Sequence, residues 1–403
     1  MAAGHKCDFR PKRRDRTNHA AAKLLTLPVL RVVRRRLTGL ALLFAFVFTG
    51  SPAALRGDDN PPGKIACKVD VFGPSLDFEL RFFVGFRLYT ASAPLAGPNR
   101  LFALRVLITP LDLPDVRPSL FERNFTAGPI PPGRNEFQLR DSFAVGPGRY
   151  KVQWILVDSS GPSCYVEREI QAELRKKDSD LPLRAQPGEV VDSRLRLFRP
   201  ERAIVGDGPK APLRIKVFLN LDVPATRGRT QIRMWELMPR FSALRALSRH
   251  PRIGGLSMVA YSVEEQAVIA RHGLQDSFDY RALRTNMDDL DPGFVSIDQL
   301  ERDSDLAFFN EMLVRELPGD ETVDAYIFLG PDVFVRKNRE KELLESIGQL
   351  PEPVFFLADG RAPWKGLVGK AVSFFQGKTF RFYDPSQMAE SVEKIVQELD
   401  AAE

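Results

Sequence analysis

The spacing of apolar residues changes part-way along this chain, and that change constrains the fold more than any other feature. From residue 64 to 175 apolar side chains fall on every second position, as in Lys68–Phe72, Asp77–Phe82, Phe83–Tyr89, Arg100–Thr109, Glu136–Val145, Tyr150–Asp158 and Cys164–Leu174. A period of two sends successive side chains to opposite faces of a strand. Gly146-Pro147-Gly148 and Ser159–Pro162 supply turns, and the Pro-rich stretch Pro110–Gly133 separates the first strands from the later ones. Short strands punctuated by turns, with no helical stretch, predict an immunoglobulin-like β-sandwich over 64–175. From 213 onwards strands alternate with helices. Leu213–Leu221, Leu256–Val263, Asp324–Gly330, Pro353–Ala358 and Thr379–Tyr383 read as strands, and Ala267–Arg271 is placed to close a hairpin. Arg233–Arg249, Tyr280–Leu290, Asp305–Leu317, Lys337–Leu350, Trp364–Phe375 and Ser386–Leu399 have helical spacing, with Asp303 and Ser304 as capping candidates. This alternation predicts a doubly wound α/β sheet over 213–403. The charged, Pro- and Gly-punctuated stretch 176–212 between the two is read as a linker.

Before both regions, Arg34-Arg35-Arg36 leads a 12-residue apolar run, Leu37–Phe48, followed by small residues up to Ala54. Basic region, short apolar core and small residues form the pattern of a secretory signal peptide, here residues 1–53 with a cut after Ala53. The run is short of the ~20 residues that span a bilayer core, so an uncleaved anchor is the lesser alternative. The expected destination is the periplasm or the outside of a bacterial cell, with the membrane touched only through an uncleaved leader. The leader also explains the formal charge of +6: it holds 11 Lys/Arg and 2 Asp/Glu, leaving 47 basic and 50 acidic residues in the other 350. The basic excess is thus absent from the folded part, which argues against a nucleic-acid partner. Cys7 belongs to the leader, and the remaining pair, Cys67 and Cys164, is read as a disulfide, the alternative being two unpaired buried thiols.

The order strand, helix, two-strand hairpin, helices, then three strand–helix steps resembles the von Willebrand factor A domain, over the C-terminal half only. In that family the first strand runs into an Asp-x-Ser-x-Ser loop that helps hold a divalent ion, completed by a later Thr and a later Asp. Here the loop reads Asp222-Val223-Pro224-Ala225-Thr226, with Pro224 in place of the first Ser and Thr226 in place of the second. The later positions fall near Asp303-Ser304-Asp305 and at Gly330-Pro331-Asp332. The resemblance therefore implies Asp222, Thr226, Asp305 and Asp332 as possible oxygen ligands of Mg²⁺ or Mn²⁺, in a degenerate motif. Oxygen-rich sites at the carboxyl ends of parallel strands suit such ions. The competing reading makes Asp222 a turn residue, Asp305 a helix cap and Asp332 a loop acid. Leader, sandwich and A-like domain in that order also resemble exported proteins of soil bacteria, a likeness that carries no activity.

Other chemistry is sparse. Only His250 and His272 follow the leader, no phosphate-binding glycine loop follows the first strand, and Ser257 lies within a strand with no glycine following at the spacing of a nucleophile elbow. Asn124-Phe125-Thr126 matches a glycosylation sequon, and Trp154 sits inside the most regular strand as a core residue. No catalytic residue is assigned. The sequence favours a non-enzymatic exported protein that binds a protein partner at the top of the A-like domain, without a complete metal site. The alternatives are an envelope scaffold subunit, or a periplasmic hydrolase using carboxylates or a metal at the same edge of the sheet.

Overall fold

The computed structural model describes residues 66–402, apart from 93–99, 128–135, 159–160, 194–196, scattered positions between 202 and 209, 223–233, 276–277, 289–303, 318–321, 334–343, 346 and 361–365. The leader, Cys7, Thr226, Asp303, Trp364 and most of the helix expected over 337–350 lie outside the described residues. Among the described residues no helix is long and apolar enough to cross a membrane. Residues 59–403 form a single unit.

Eight strands build the first half. β1 (Cys67–Leu76), β2 (Phe82–Ala91), β5 (Glu136–Val145) and β8 (Val190–Asp192) make one antiparallel sheet in that order. β4 (Ser119–Ala127), β3 (Arg100–Pro110), β6 (Gly148–Asp158) and β7 (Gly161–Ala172) make the other. The alternation read from the sequence decides which side chains meet: Val84, Phe86 and Leu88 of β2 face Leu104, Val106 and Ile108 of β3 and Val152, Trp154 and Leu156 of β6 in one core. Trp154 is wholly buried there, its ring 5.6 Å from that of Phe86. This is a β-sandwich, and the disulfide Cys67–Cys164 ties the first strand of one sheet to the last strand of the other.

Two of these strands come from stretches given no strand in the sequence. β4 lies inside the Pro-rich interval, where its own residues 119–127 contain no proline. β8 lies inside the stretch read as a linker, and that stretch also buries Asp178, Ala185, Leu197 and Ile204. It is therefore packed structure and not a free connection. Conversely, Asp77–Arg81 is a turn and not a strand: the Asp77 carboxylate accepts hydrogen bonds from the Glu79 and Arg81 N–H groups at 2.9 and 3.2 Å. Its period of two arises because Phe78 and Leu80 reach the core of the second half, the Phe78 ring lying 6.3 Å from that of Phe382.

The second half is a six-stranded sheet in the order β11 (Ala267–Gln275), β10 (Ile253–Ser262), β9 (Leu213–Asn220), β12 (Ala325–Gly330), β13 (Val354–Asp359), β14 (Lys378–Phe382). Only β11 runs antiparallel to its neighbour; the other four pairings are parallel. β9 shows why both faces are covered. Ile215, Val217 and Leu219 meet helices α1 (Met234–Ser248), α2 (Tyr280–Asp288) and α5 (Pro385–Ala402) on one side. Phe218, with Tyr326 and Phe328 of β12, meets α3 (Ser304–Glu316) and α4 (Leu367–Phe374) on the other. A strand buried on both faces needs no polar alternation, which is how β9, β12 and β13 read.

Candidate functional site

Parallel sheets of this kind gather ligands at the carboxyl ends of their strands. Here those ends carry Asp222 just after β9, Tyr261 and Ser262 at the end of β10, Asp332 after β12 and Asp359 closing β13, with Arg240 of α1 beneath them.

Asp222 is buried, and its carboxylate accepts hydrogen bonds from Ser262 Oγ (2.6 Å) and from the N–H groups of Val263 (3.0 Å) and Glu264 (3.2 Å). Its own N–H donates to Asn220 Oδ1 at 2.9 Å, which fixes the turn leaving the strand. Burial pushes the Asp222 carboxyl above its ordinary value, against the pull of Ser262, the two amides and the charge of Arg240. Asp332 is held in the same way: the N–H groups of Gly366, Val368 and Gly369 donate to it at 2.8, 2.9 and 3.2 Å. It caps α4 from a distance in sequence, satisfying N–H groups that a helix start leaves without partners. The approach depends on the glycines: a Cβ on Gly366 or Gly369 would stand 2.3 or 2.7 Å from the Asp332 oxygens. Burial raises the Asp332 carboxyl too, opposed by those three amides and by Arg381.

Arg240 differs from both acids. It is wholly buried, donates from Nη1 to the Asn220 carbonyl at 3.2 Å, and has Asp359 Oδ2 3.6 Å from its Nε. Nε and Nη2 have no hydrogen-bond partner, and neither has the hydroxyl of the equally buried Tyr261. Burial lowers the affinity of Arg240 for its proton, partly offset by Asp359 and Asp222. Burial raises the Tyr261 hydroxyl, with the charges of Asp222 and Asp332 adding to it. Unpaired buried donors are rare in folded proteins and each costs about 1–3 kcal/mol, so a guanidinium with two of them marks this as a place with unsatisfied binding capacity.

The sequence reading placed Asp222 and Asp332 among four oxygen ligands. Both do stand at the strand ends, and both carboxylates turn their oxygens to protein donors. Asp305 is exposed in the first turn of α3, where it accepts from Gln266 Nε2 at 2.9 Å. Thr226 lies outside the described residues. Among the described residues no three acidic, His or Cys side chains converge on a point where a metal ion would sit. Among the described residues, Asp222 and Asp332 with their oxygens engaged by protein donors and the separate, exposed Asp305 do not form a divalent-ion ligand set. The sequence reading missed Arg240, Tyr261 and Ser262. For Arg240 a signal existed: it lies three residues after Leu237 and four before Leu244, on the apolar stripe of its helix.

No protein-family profile matches the chain. No curated protein matches it. Solved structures match at low similarity. A glycosyl hydrolase family 2 member from Bacteroides cellulosilyticus aligns with 77% of this chain and 37% of its own length, at 12% identity and a TM-score of 0.20. A beta-glucuronidase from Bacteroides uniformis aligns with 76% of this chain and 38% of its own length, at 10% identity and a TM-score of 0.18. A mutant form of enoyl thioester reductase from Candida tropicalis aligns with 82% of this chain and 87% of its own length, at 8% identity and a TM-score of 0.22. The chain thus spans well under half the length of the two Bacteroides proteins, and similarities of this size carry no inference about activity.

Proposed function

We propose that the protein is an exported interaction protein whose α/β half, similar to a von Willebrand factor A domain, binds a protein partner at the carboxyl ends of its strands without a bound metal. The chain order that suggested the A domain is accompanied by a sheet whose sole antiparallel pairing is the β10–β11 hairpin at its edge, which supports that likeness. Export is supported by the leader pattern and by the disulfide, a bond that persists in oxidising compartments. The observation that carries the binding site is Arg240, buried with Nε and Nη2 lacking hydrogen-bond partners, with Asp359 3.6 Å away and Asp222 and Asp332 already engaged by protein donors. A guanidinium recognises a carboxylate through two parallel N–H donors, so the partner contributes an Asp or Glu side chain or a chain terminus.

The test places a photo-crosslinking residue at the exposed position Glu264, next to Asp222 in the hydrogen-bond network, in the full chain expressed in its own compartment. A crosslinked partner that disappears in Arg240→Met, with the variant still folded and disulfide-bonded, supports the reading. A crosslink unchanged by Arg240→Met overturns it. Titration of Mg²⁺ and Mn²⁺ into the same protein gives no saturable heat on this reading. Saturable binding lost in Asp222→Ala would replace it by an ion-dependent one.

A further inference from the structure

One sequence motif has no part in the strand-end site. Asn124-Phe125-Thr126 is the only Asn-x-Ser/Thr triplet of the chain, and the residue between its ends is not proline. It lies in β4, which stands at the edge of its sheet next to β3. Period two divides the strand cleanly. Phe121 and Phe125 pack against the sandwich core, the Phe125 ring 5.6 Å from that of Phe102 and 6.2 Å from that of Phe137. Leu120, Glu122, Asn124 and Thr126 take the other face and are exposed. The core thus anchors the middle residue of the triplet and turns the two that carry its chemistry toward solvent.

That face has room for a bulky group on Asn124. Directly across from it stands Ala103, the smallest of the side chains that β3 turns outward while Phe102, Leu104, Val106 and Ile108 are buried. The packing of the sandwich gives no reason for an asparagine here: the residue type is depleted in strands, and this side chain lies outside the core. Glu122, two positions earlier on the same face, is paired with Arg105 at 2.7 Å, an exposed contact. Glu122-Arg123-Asn124-Phe125-Thr126 is also the longer pattern, acid first, on which glycans are transferred to asparagine in bacterial envelopes.

We propose that Asn124 is a glycosylation site, with Glu122 and Thr126 as the residues that recruit the transfer. The donor is an oligosaccharide linked through a diphosphate to a membrane lipid. The Asn124 Nδ2 atom forms a bond to the first carbon of the sugar and gives up one proton. The bond from that carbon to the diphosphate oxygen breaks, and the lipid diphosphate leaves with the electron pair; nothing is oxidised or reduced. Transfer takes place on the emerging chain, before β4 pairs with β3, and the folded sheet keeps the product in solvent. The proposal rests on the export reading above and concerns a different part of the molecule.

The test is peptide mass spectrometry of the full chain purified from its source organism, with fragment ions that locate any added mass. Sugar is expected on Asn124, absent from Asn124→Gln and Thr126→Ala and at least tenfold less abundant in Glu122→Gln. All three positions are exposed, so the variants keep the fold, which formation of the Cys67–Cys164 disulfide checks. A chain lacking residues 1–53 is expected to stay unmodified. An exported, disulfide-bonded chain with unmodified Asn124 overturns the proposal and leaves the export reading standing. An unmodified chain that stays in the cytoplasm with both thiols free overturns the two together. Sugar that persists on Asn124 in Thr126→Ala, at full occupancy in Glu122→Gln, or without the leader also overturns the proposal.

Discussion

Among the carboxylates packed in or against the α/β half, two pairs are held in different ways. Glu79, from the sandwich turn, and Glu201 meet guanidinium groups: Arg184 at 2.6 Å and Arg245 at 3.3 Å on Glu79, Arg245 and Arg249 each at 2.8 Å on Glu201, with Arg199 touching both. Asp222 and Asp332 meet amide N–H groups and one hydroxyl, and the nearby arginine, Arg240, keeps two donors without partners. Burial pushes all four upward. The surrounding arginines overcome it for Glu79 and Glu201, which end below their ordinary value, whereas the neutral donors do not for Asp222 and Asp332, which end above theirs. The first arrangement is complete and joins the sandwich turn to α1. The second leaves two donors of Arg240 without hydrogen-bond partners, with Asp359 3.6 Å from its Nε as the nearest counter-ion.

The largest effect expected from breaking this comparison is at Glu79. Glu79→Ala removes the carboxylate from between Arg184, Arg199 and Arg245, the last of them 1% exposed, and leaves Glu201 as the one carboxylate of the network facing Arg199, Arg245 and Arg249. Such losses cost about 3–5 kcal/mol, to be read as a fall in the urea midpoint of unfolding. A fall of less than about 1 kcal/mol would place the network among surface ion pairs and remove the contrast.

Acid sharpens the comparison because the two pairs respond with opposite sign. Glu79 and Glu201 are depressed below 4.5, so the stability they add is present above that value and lost as pH falls through their folded values. Asp222 and Asp332 are raised above 3.8, so proton uptake by them favours the folded state, and that contribution is lost as pH rises through their folded values. Residue-resolved NMR titration should find both aspartates with midpoints above 3.8 and both glutamates with midpoints below 4.5. Midpoints displaced in the same direction in all four would show that the donors around them are equivalent.

A smaller loss is expected at Asp332. Asp332→Ala removes the cap of α4 and leaves the Gly366, Val368 and Gly369 N–H groups without their acceptor. Removing a cap costs about 0.5–2 kcal/mol. Hydrogen exchange should show faster opening of those three amides with little change in β9 or β12, where a global loss would instead raise exchange everywhere.

How much of this was legible beforehand differs between the regions for physical reasons. Elements with a strong period announce themselves: β6, around Trp154, and α5 fall where their apolar spacing put them. The alternation of Asp77–Arg81 was equally clear and misleading, because period two also describes a turn whose side chains divide between solvent and a second core. β8 is three residues long and takes its place from pairing with β5, so nothing in its own composition marks it. Asp222 was singled out because it follows a strand, a local fact. The donors that hold it come from residues 262–264, and no local pattern joins these to position 222. Arg240 and Arg245 could have been noticed as charges on the apolar face of α1, but only the fold says that Arg245 meets two carboxylates closely while Arg240 has Asp359 at 3.6 Å and two donors without hydrogen-bond partners.

That last difference gives the smallest expected effect on stability and the most informative one. Arg240 and Arg245 lie on the same helix, both essentially without exposure. Arg245 donates to Glu79, Glu201 and the Leu197 carbonyl and lies over the ring of Tyr280, its guanidinium carbon 4.5 Å from the ring centre. Arg245→Met should therefore cost several kcal/mol, as breaking a buried pair does. Arg240 makes one hydrogen bond and one looser approach to Asp359, a residue that retains 16% exposure and can be hydrated when the arginine is gone. Replacing it removes two unsatisfied donors, whose burial costs about 1–3 kcal/mol each, along with that one bond. Arg240→Met should thus unfold within about 1 kcal/mol of the parent, or above it, while losing the partner crosslink at position 264. A near-neutral Arg240→Met that loses the crosslink would tie Arg240 to binding and not to stability. If Arg240→Met instead destabilises the chain as much as Arg245→Met, Arg240 is a structural counter-ion like its neighbour, and the strand ends lose their distinguishing feature.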